Sequence, residues 1–241
     1  MPVANLLIAT PVRGASSEAA DVKLGWALTT RLLTRDPNVE FTVLGYGADL
    51  VRSRSRIVRI ALEEKKYTHV LWWDDDIIPR DVHVIRYMLE TGHDVVACPY
   101  PKKKVHWDRV TSTHAEREAY EYTVFFGGET KRQFINGCTE AEFVAMGFML
   151  TSVGCLQKMW DAYLPTLSFG DVIDGEVHQT CGMFQLLLPE KPMGPLMSED
   201  YSFCKRWRNI GGQVQVYLGP GSPVDHVGTH VYRGHREGVV Q

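Results

Sequence analysis

Three consecutive carboxylates, Asp74, Asp75 and Asp76, are the residues of this chain best suited to chemistry. They follow an apolar run at residues 70–73 that is short, rich in β-branched and aromatic residues, and typical of a buried strand. Three acids at the end of a buried strand repel one another, so their partner must lie outside the local chain. A divalent cation held by oxygen ligands, with phosphate oxygens completing its shell, fits this requirement. At the C-terminal edge of an open α/β sheet, such a site would bind a nucleotide.

The acidic triplet also has a purely structural interpretation, a turn that faces solvent. In that case Asp76 caps a helix that begins near Asp81, and the carboxylates bind only water. The two interpretations differ in whether other parts of the chain carry residues that converge on this turn. The remaining segments therefore decide between them.

The composition limits the classes of protein to which the chain can belong. Its 241 residues are 44% hydrophobic, which is enough for one large α/β domain or for two closely joined lobes. The formal net charge of -3 gives no global sign of nucleic-acid or membrane binding. No apolar run is long enough to span a bilayer. The first residues lack a basic region ahead of their apolar stretch, so they do not resemble a signal peptide.

The cysteines indicate the redox environment. They are odd in number and widely spaced, and they form no CxxC pair: Cys98, Cys138, Cys155, Cys181 and Cys204. This usage predicts reduced thiols, mostly buried, in a cytoplasmic protein.

The first hundred residues alternate between strand and helix patterns. Strands are predicted at residues 5–10, 39–45, 70–73 and 94–99. Helices are predicted from Ser16 or Ser17 to about residue 33, from an Asp49 cap over residues 50–66, and over residues 81–91 with Gly92 as the stop. The alternation predicts a mostly parallel sheet with helices on both faces.

The second half of the chain is less regular. Residues 142–152 predict a strand in which Gly147 permits a close approach to the backbone, and residues 155–162 predict a short helix. Residues 111–134 predict irregular structure or a small β excursion, and residues 164–195 predict a long active-site loop or lid. A last strand is predicted at residues 213–218.

Two further segments carry candidate functional residues. Ser198 is a good N-cap for a helix whose first turn contains Glu199 and Asp200, where the helix dipole favours anions. The tail after residue 218 carries His226, His230 and His235 with little helical or strand period, which predicts a loop.

Basic side chains concentrate in two places. The helix over residues 50–66 carries four arginines, which form either a solvated face or, through Arg54 or Arg52, a nucleotide contact. The segment YPKKKVHWDR at residues 100–109 is either a charged surface loop or a cation-and-aromatic patch for phosphate or a sugar ring.

In this order, the segments resemble a GT-A-type glycosyltransferase of the small bacterial and viral family-2-like kind. The resemblance rests on a βαβαβ half, the apolar strand ending in Asp-x-Asp and Ile-Ile-Pro, and four later motifs: YPKK, Gly-Phe-Met-Leu, Ser-Glu-Asp-Tyr-x-Phe-Cys and His-Val-Gly. It implies one α/β domain over residues 1–241 with a GT-A-like, Rossmann-like, mostly parallel central sheet flanked by helices, and a small antiparallel excursion. Residues 1–100 would bind the nucleotide-sugar, and residues 101–241 would bind the acceptor and carry the catalytic residues.

The resemblance also implies residue roles. Asp74 and Asp76 would hold Mn²⁺ or Mg²⁺ and, through it, the diphosphate of the donor, with His226 as a late ligand. Asp75 occupies the middle of the motif and would contact the donor; which two of the three acids bind metal is not fixed, although strand alternation favours Asp74 and Asp76. Asp200, or alternatively Glu199, would be the general base of an inverting enzyme.

The remaining implied roles concern the donor, for which UDP is the expected nucleotide. The nucleoside pocket would be lined by Pro11, Arg13, Tyr46 and Arg54. The sugar or its phosphates would face Lys102, Lys103 and Trp107.

Two other functions share parts of this pattern. A nucleotidyltransferase also combines a nucleotide-binding α/β half with carboxylate-bound Mg²⁺, although residues 10–14 are a poor version of its glycine-rich loop. A binding module for nucleotides or sugars would keep the fold without the chemistry. The acceptor is equally open: a glycan, a protein side chain, a lipid-linked sugar, or a hydroxymethylated DNA base that meets the basic segments.

Overall fold

The computed structural model describes residues 4–11, 39–46, 49–81, 83–110, 119–128, 132–189, 193–228 and 231–239. The strands of the first half are β1 (Ala4–Pro11), β2 (Val39–Tyr46), β3 (His69–Trp73), β4 (Ile77–Ile78), β5 (Val95–Ala97), β6 (Pro101–Val105), β7 (Tyr120–Tyr122) and β8 (Val124–Phe125). Those of the second half are β9 (Cys138–Ala141), β10 (Phe143–Val144), β11 (Phe148–Ser152), β12 (Ser168–Ile173), β13 (Glu176–Cys181), β14 (Val214–Tyr217), β15 (Asp225–Val227) and β16 (Val231–Tyr232). The helices are α1 (Leu50–Glu64), α2 (Val84–Glu90), α3 (Val153–Leu167), α4 (Glu199–Asn209) and α5 (Arg236–Val239).

A seven-stranded mixed sheet in the order β2-β1-β3-β11-β5-β14-β9 forms the centre of the fold. β1 is parallel to β2 and β3, and β14 is parallel to β5. β11 lies between β3 and β5 and is antiparallel to both, and β9 is antiparallel to β14. The mostly parallel sheet predicted from the first hundred residues is therefore interrupted by strands from the second half. A strand buried on both faces has the same apolar composition in either direction, so its sequence does not reveal its orientation.

Two hydrophobic cores lie on opposite faces of this sheet, because successive strand side chains point to opposite sides. In β1, Leu7 and Ala9 join the core packed against α1, α3 and α4. Leu6 and Ile8 join the other core, which contains the buried residues of α2. The prediction of helices on both faces is thus confirmed. All five cysteines are buried and unpaired, as predicted.

Over their described residues, the first hundred positions follow the predicted element order with one added short strand, β4. α1 begins after Asp49, whose carboxylate accepts a hydrogen bond from the Arg52 N–H at 3.1 Å. α2 starts at Val84, three residues later than predicted, and Gly92 follows it with φ of 69°. The carboxyl ends of the parallel strands β1, β3 and β5 meet at one edge of the sheet, where ligands bind in open α/β folds. The acidic triplet lies at this edge.

The lid predicted over residues 164–195 is wrong for most of its length. α3 continues to Leu167, and β12 and β13 then form an antiparallel hairpin. Asp171 in this hairpin is 1% exposed and accepts hydrogen bonds from Arg52 Nε and Arg56 Nε, each at 2.6 Å. The hairpin is therefore fastened to α1 by an ion cluster. The arginines come from a distant part of the chain, so the local sequence of the hairpin did not reveal this attachment.

We expect the Asp171 cluster to contribute strongly to stability. Asp171→Asn should lower the free energy of unfolding at pH 7 by about 2–4 kcal/mol, since it removes the charge that two arginines share. Asp161→Asn, at an exposed position of α3, is the matched control and should change it by less than about 0.5 kcal/mol. Urea unfolding of the three proteins gives the comparison.

The pH dependence supplies a second readout. Hydrogen bonds from Arg56 and then Arg52 lower the pKa of Asp171 against the opposing effect of burial. The contribution of the Asp171 carboxylate to the free energy of unfolding is therefore complete above its pKa in the unfolded chain, about 4. It is lost as the pH falls through the lower pKa that Asp171 has in the folded protein. The difference between wild type and Asp171→Asn should shrink on acidification. A difference that is small at pH 7, or constant with pH, would contradict the assignment.

Candidate functional site

The acidic triplet forms a tight turn after β3. The Asp74 N–H donates to the Gly147 carbonyl at 2.9 Å, and the Ile77 N–H donates to the Asp74 carbonyl at 3.1 Å. The Trp73 indole N–H also donates to the Ile77 carbonyl, at 2.9 Å. Because the acids lie in a turn, strand alternation does not decide which of them share a side. The helix-cap interpretation of Asp76 is wrong, since the chain continues into β4 and α2 starts only at Val84.

Strand pairing brings His226 to this turn from the other end of the chain. β15 pairs antiparallel with β4, with His226 opposite Ile77, and the Val227 N–H donates to the Asp76 carbonyl at 2.8 Å. His226 Nε2 thereby lies 3.4 Å from Asp76 Oδ2. The loop predicted for the tail is wrong at this point. β15 and β16 are strands of three and two residues, too short to show a period in sequence.

The hydrogen bonding of His226 fixes the orientation of its ring. Nδ1 lies 2.8 Å from the Pro101 carbonyl, which can only accept, so Nδ1 carries the hydrogen. With a proton on Nε2 the ring donates to the Asp76 carboxylate, and without it Nε2 presents a lone pair to a cation beside Asp76. A histidine that binds a metal ion commonly has this arrangement, with its other ring nitrogen donating to a backbone carbonyl.

Lys103 completes the surroundings of Asp76. Its Nζ lies 2.5 Å from Asp76 Oδ2, so the lysine predicted to face the donor does lie at the acidic turn. Burial raises the pKa of Asp76, but His226 and Lys103 together outweigh burial, and the pKa is lowered. Asp76 is therefore held ionised. Lys102 instead pairs with Glu121 at 3.3 Å, and Trp107 is 65% exposed on a short 3-10 helix.

Arg54 occupies a position different from the solvated face that its helix suggested. It is 2% exposed, with Nη2 at 3.3 Å from Asp74 Oδ1 and Nη1 at 3.2 Å from Glu199 Oε1. Its Nε is buried without a hydrogen-bond partner among the described residues. Burial lowers the pKa of Arg54, but the carboxylates of Asp74 and Glu199 outweigh it, so the pKa is raised. One buried cation thus links the acidic turn to the start of α4.

The electrostatics of Asp74 differ from those of Asp76. Burial raises the pKa of Asp74, Arg54 opposes this shift, and the nearby Asp76 carboxylate adds to it. The turn therefore combines the ionised carboxylate of Asp76, beside His226, with the carboxylate of Asp74, whose ionised form is disfavoured by burial. Additional positive charge near Asp74 would stabilise its ionised form.

The two acids at the start of α4 point to different partners. Glu199 reaches Arg54, whereas the Asp200 carboxylate accepts from the Ser198 hydroxyl and, at 2.7 Å, from the Tyr201 N–H. Ser198 occupies the N-cap position but does not cap through its side chain. Its hydroxyl orients Asp200 instead.

Tyr100, the first residue of the YPKK motif, also belongs to the site. Its buried hydroxyl accepts from the Gly147 N–H at 3.1 Å, and its ring meets the His226 ring edge-to-face at a centroid distance of 5.0 Å. The close approach predicted at Gly147 is confirmed. A Cβ there would overlap the Tyr100 hydroxyl and lie 2.8 Å from Tyr100 Cζ and 3.0 Å from Asp74 Oδ2.

Gly147→Ala should therefore destabilise the protein. We expect a loss of about 1–3 kcal/mol in the free energy of unfolding, because Tyr100 and the acidic turn must both move to admit the methyl group. Gly154→Ala, in α3, is the control; the nearest atom to its Cβ would be Ser152 Oγ at 3.7 Å, an ordinary contact. Denaturant unfolding should show Gly154→Ala as neutral or slightly stabilising. Equal stability of the two variants would contradict this account of Gly147.

The remaining predicted site residues are only partly located. Pro11 ends β1 and pairs in register with Tyr46 at the end of β2. Arg13, His230 and the helix predicted from Ser16 or Ser17 lie outside the described residues. Over the described ranges, no group of three or more His, Cys, Asp or Glu side chains is arranged to hold a metal ion, so the acidic turn offers the pair Asp76 and His226 with Asp74 nearby. Across the same ranges, no helix has the length and apolarity to cross a membrane.

Comparison with known proteins shows a likeness of fold. No family model and no curated protein matches the chain. Among solved structures, one titled "Crystal Structure of A197 from STIV" is similar, with a TM-score of 0.51 and 15% sequence identity. The match covers 96% of this chain and 94% of that chain. At this identity the likeness concerns the fold alone, and it extends over nearly all of the mixed α/β architecture.

Proposed function

We propose that this protein is a metal-dependent glycosyltransferase of GT-A type, which moves a sugar from a nucleotide-sugar, such as a UDP-sugar, to an acceptor hydroxyl. The observation that carries the proposal is the convergence of Asp76, His226 and Lys103 at the carboxyl edge of the sheet. Folding alone does not require a carboxylate, an imidazole and an ammonium group from three distant segments to meet there. The edge of the sheet is also the usual position of a nucleotide in open α/β folds.

The donor types at this edge, carboxylate and imidazole, suit Mn²⁺ or Mg²⁺, although the described side chains do not form a three-ligand group. Asp76 and His226 would hold the ion, and Asp74 would join them through the carboxylate that Arg54 now contacts. An ion held there would offset the negative charge of the diphosphate, which departs with the bonding electrons of the sugar C1–O bond. Lys103 and Arg54 add positive charge from the protein at the same place.

The acceptor side of the reaction would be served by α4. The acceptor oxygen forms a bond to the sugar C1 as the bond from C1 to the diphosphate breaks, and Asp200 takes the hydroxyl proton. Asp200 suits this role because the Ser198 hydroxyl and the Tyr201 N–H hold its carboxylate at the start of a helix, where the dipole stabilises its charge. Glu199, engaged by Arg54, would position the acidic turn.

A hydroxymethylated DNA base is less well supported as acceptor than a glycan. That alternative was based on the arginine-rich helix and the KKKVHWDR segment, and on the helix Arg52 and Arg56 bind Asp171 and Arg54 is buried. Arg59, in turn, pairs with Glu63 at 2.5 Å. The helix therefore does not present a row of arginines for backbone phosphates.

A donor screen tests the proposal. Each of a set of nucleotide-sugars is incubated with the protein and Mn²⁺, and the products are identified by mass spectrometry. We expect release of nucleoside diphosphate from one donor, which stops on chelation of the metal. Release of pyrophosphate would indicate a nucleotidyltransferase instead. Tight donor binding without any product would indicate a binding module.

A further inference from the structure

A cavity of about 530 Å³ lies outside the acidic turn, among β6, β7, β8 and α5. Aromatic side chains form much of its wall: Tyr120, Tyr122, Phe125 and Phe126. Polar groups in the lining include Lys102, Glu121 and Arg132. Its volume is in the usual range for small-molecule sites, about 300–1,000 Å³, as is the combination of aromatic walls with a few polar groups.

A stack of aromatic rings connects the cavity to the helix that carries the proposed base. Phe125 stacks on Phe143 with ring centroids 6.0 Å apart, and Phe143 stacks on Tyr201 at 5.4 Å. Tyr201 follows Asp200 and donates its N–H to that carboxylate. An acceptor held in the cavity would therefore lie against the aromatic stack that leads to the proposed base.

Taken with an adjoining cavity described below, the lining carries balanced charges that favour a neutral ligand: Lys102, Arg132 and Arg208 against Glu121, Glu140 and Glu142. Lys102 and Glu121 form an ion pair at 3.3 Å, and Glu121 also contacts His106 at 2.5 Å. Opposite charges side by side offer both donors and acceptors to the hydroxyl groups of a neutral ligand. Phe125 is 53% exposed and presents an aromatic ring on which the apolar face of a sugar ring can stack.

A second cavity extends the first. It has a volume of about 450 Å³, shares Phe126 and Arg132 with the first cavity, and reaches Arg208 on α4. The Arg132 guanidinium lies over the Phe126 ring, 4.2 Å from its centroid, at this shared wall. Two adjoining cavities provide room for consecutive units of one chain.

We propose that these two cavities bind the acceptor and that the acceptor is a neutral oligosaccharide, with one of its sugar rings stacked on Phe125. This inference rests on the proposed function and names the acceptor class for the same site. The reacting hydroxyl would belong to the unit nearest Asp200, and the cavities would hold units that do not react.

The test measures saccharide binding without donor or metal. Linear neutral trisaccharides of glucose, mannose and N-acetylglucosamine, with both α- and β-linkages for glucose, are titrated into the wild-type protein by saturation-transfer NMR and calorimetry. We expect at least one to bind, Phe125→Ala to weaken that binding about three- to tenfold, and Phe125→Trp to preserve it. Val177→Ala is the matched control, since Val177 is 72% exposed on β13, away from both cavities, and should leave binding unchanged.

Several results would overturn the inference: binding of none of the trisaccharides, equal binding by wild type and Phe125→Ala in proteins with matching thermal melts, or equal losses in Phe125→Ala and Val177→Ala. A parallel donor assay separates this inference from the proposed function. Release of nucleoside diphosphate without trisaccharide binding refutes only the acceptor site. If trisaccharide binding depends on Phe125 but no donor is turned over, the saccharide site is supported and the proposed transferase activity is refuted.

Discussion

Asp76→Ala should abolish the Mn²⁺-dependent binding of a nucleoside diphosphate, whereas Asp75→Ala should weaken it much less. Asp76 is the acid that lies beside both His226 Nε2 and Lys103 Nζ, at 3.4 and 2.5 Å. Loss of a residue that supports a metal ligand already costs about 10–100-fold in metal affinity, and loss of a ligand itself should cost at least about 100-fold. Calorimetric titration of UDP with and without Mn²⁺ provides the measurement.

His226→Ala serves as the second arm of this experiment. It should reduce the Mn²⁺-dependent part of UDP binding while leaving the weak metal-independent part. His83→Ala, at an exposed position just before α2, is the control histidine and should behave as wild type. Equally tight, Mn²⁺-dependent UDP binding in wild type and Asp76→Ala would show that the acidic turn is not the metal site. Normal Mn²⁺ dependence in His226→Ala would show only that His226 is not a metal ligand.

The second large effect concerns the proposed base. Asp200→Asn should fold normally and bind donor and metal as wild type does, because asparagine can still accept from the Ser198 hydroxyl and the Tyr201 N–H. Sugar transfer should fall by about 10²–10⁴-fold, the usual contribution of a general base. The required measurements are thermal melting, UDP binding and the rate of transfer.

Glu199→Gln separates the base from its neighbour. It removes the charge that faces Arg54 but keeps a group able to accept a hydrogen bond at 3.2 Å. Transfer should fall less than in Asp200→Asn, and the loss should include weaker donor binding, since Arg54 also contacts Asp74. If Asp200→Asn transfers sugar at the wild-type rate, the acid only stabilises the start of its helix. Inverting chemistry would then lose its main support in this chain.

The sequence predicted those parts of the fold that depend on neighbours in the chain. Apolar periodicity located β1, β2, β3 and α1, and the polar residue before α1 proved to be its cap. The close approach at Gly147 was predicted, because only a residue without a side chain permits another group so near the backbone, but Gly147 lies in a turn between β10 and β11 and the single strand predicted over residues 142–152 is wrong. These features need no information from distant segments.

The candidate site depended more on pairings between distant segments. His226 lies on a strand of three residues that becomes recognisable only when it pairs with β4. Arg54 belongs to a helix with arginines on most of its sides. Its side chain is buried because it pairs with carboxylates in the turn after β3 and at the start of α4. The direction of β11 and the β12–β13 hairpin were missed for a similar reason. Short strands carry little periodicity, and their partners are set by the whole fold.

The central claim is that Asp76 and His226 bind a divalent cation together with the diphosphate of a nucleotide. Anomalous X-ray diffraction from crystals grown with Mn²⁺ and UDP, measured on both sides of the manganese absorption edge, tests this most directly. The account predicts one manganese peak in contact with the Asp76 carboxylate, His226 Nε2 and the UDP phosphates. Manganese and diphosphate bound elsewhere, or UDP bound at this turn with no manganese beside Asp76, would contradict it.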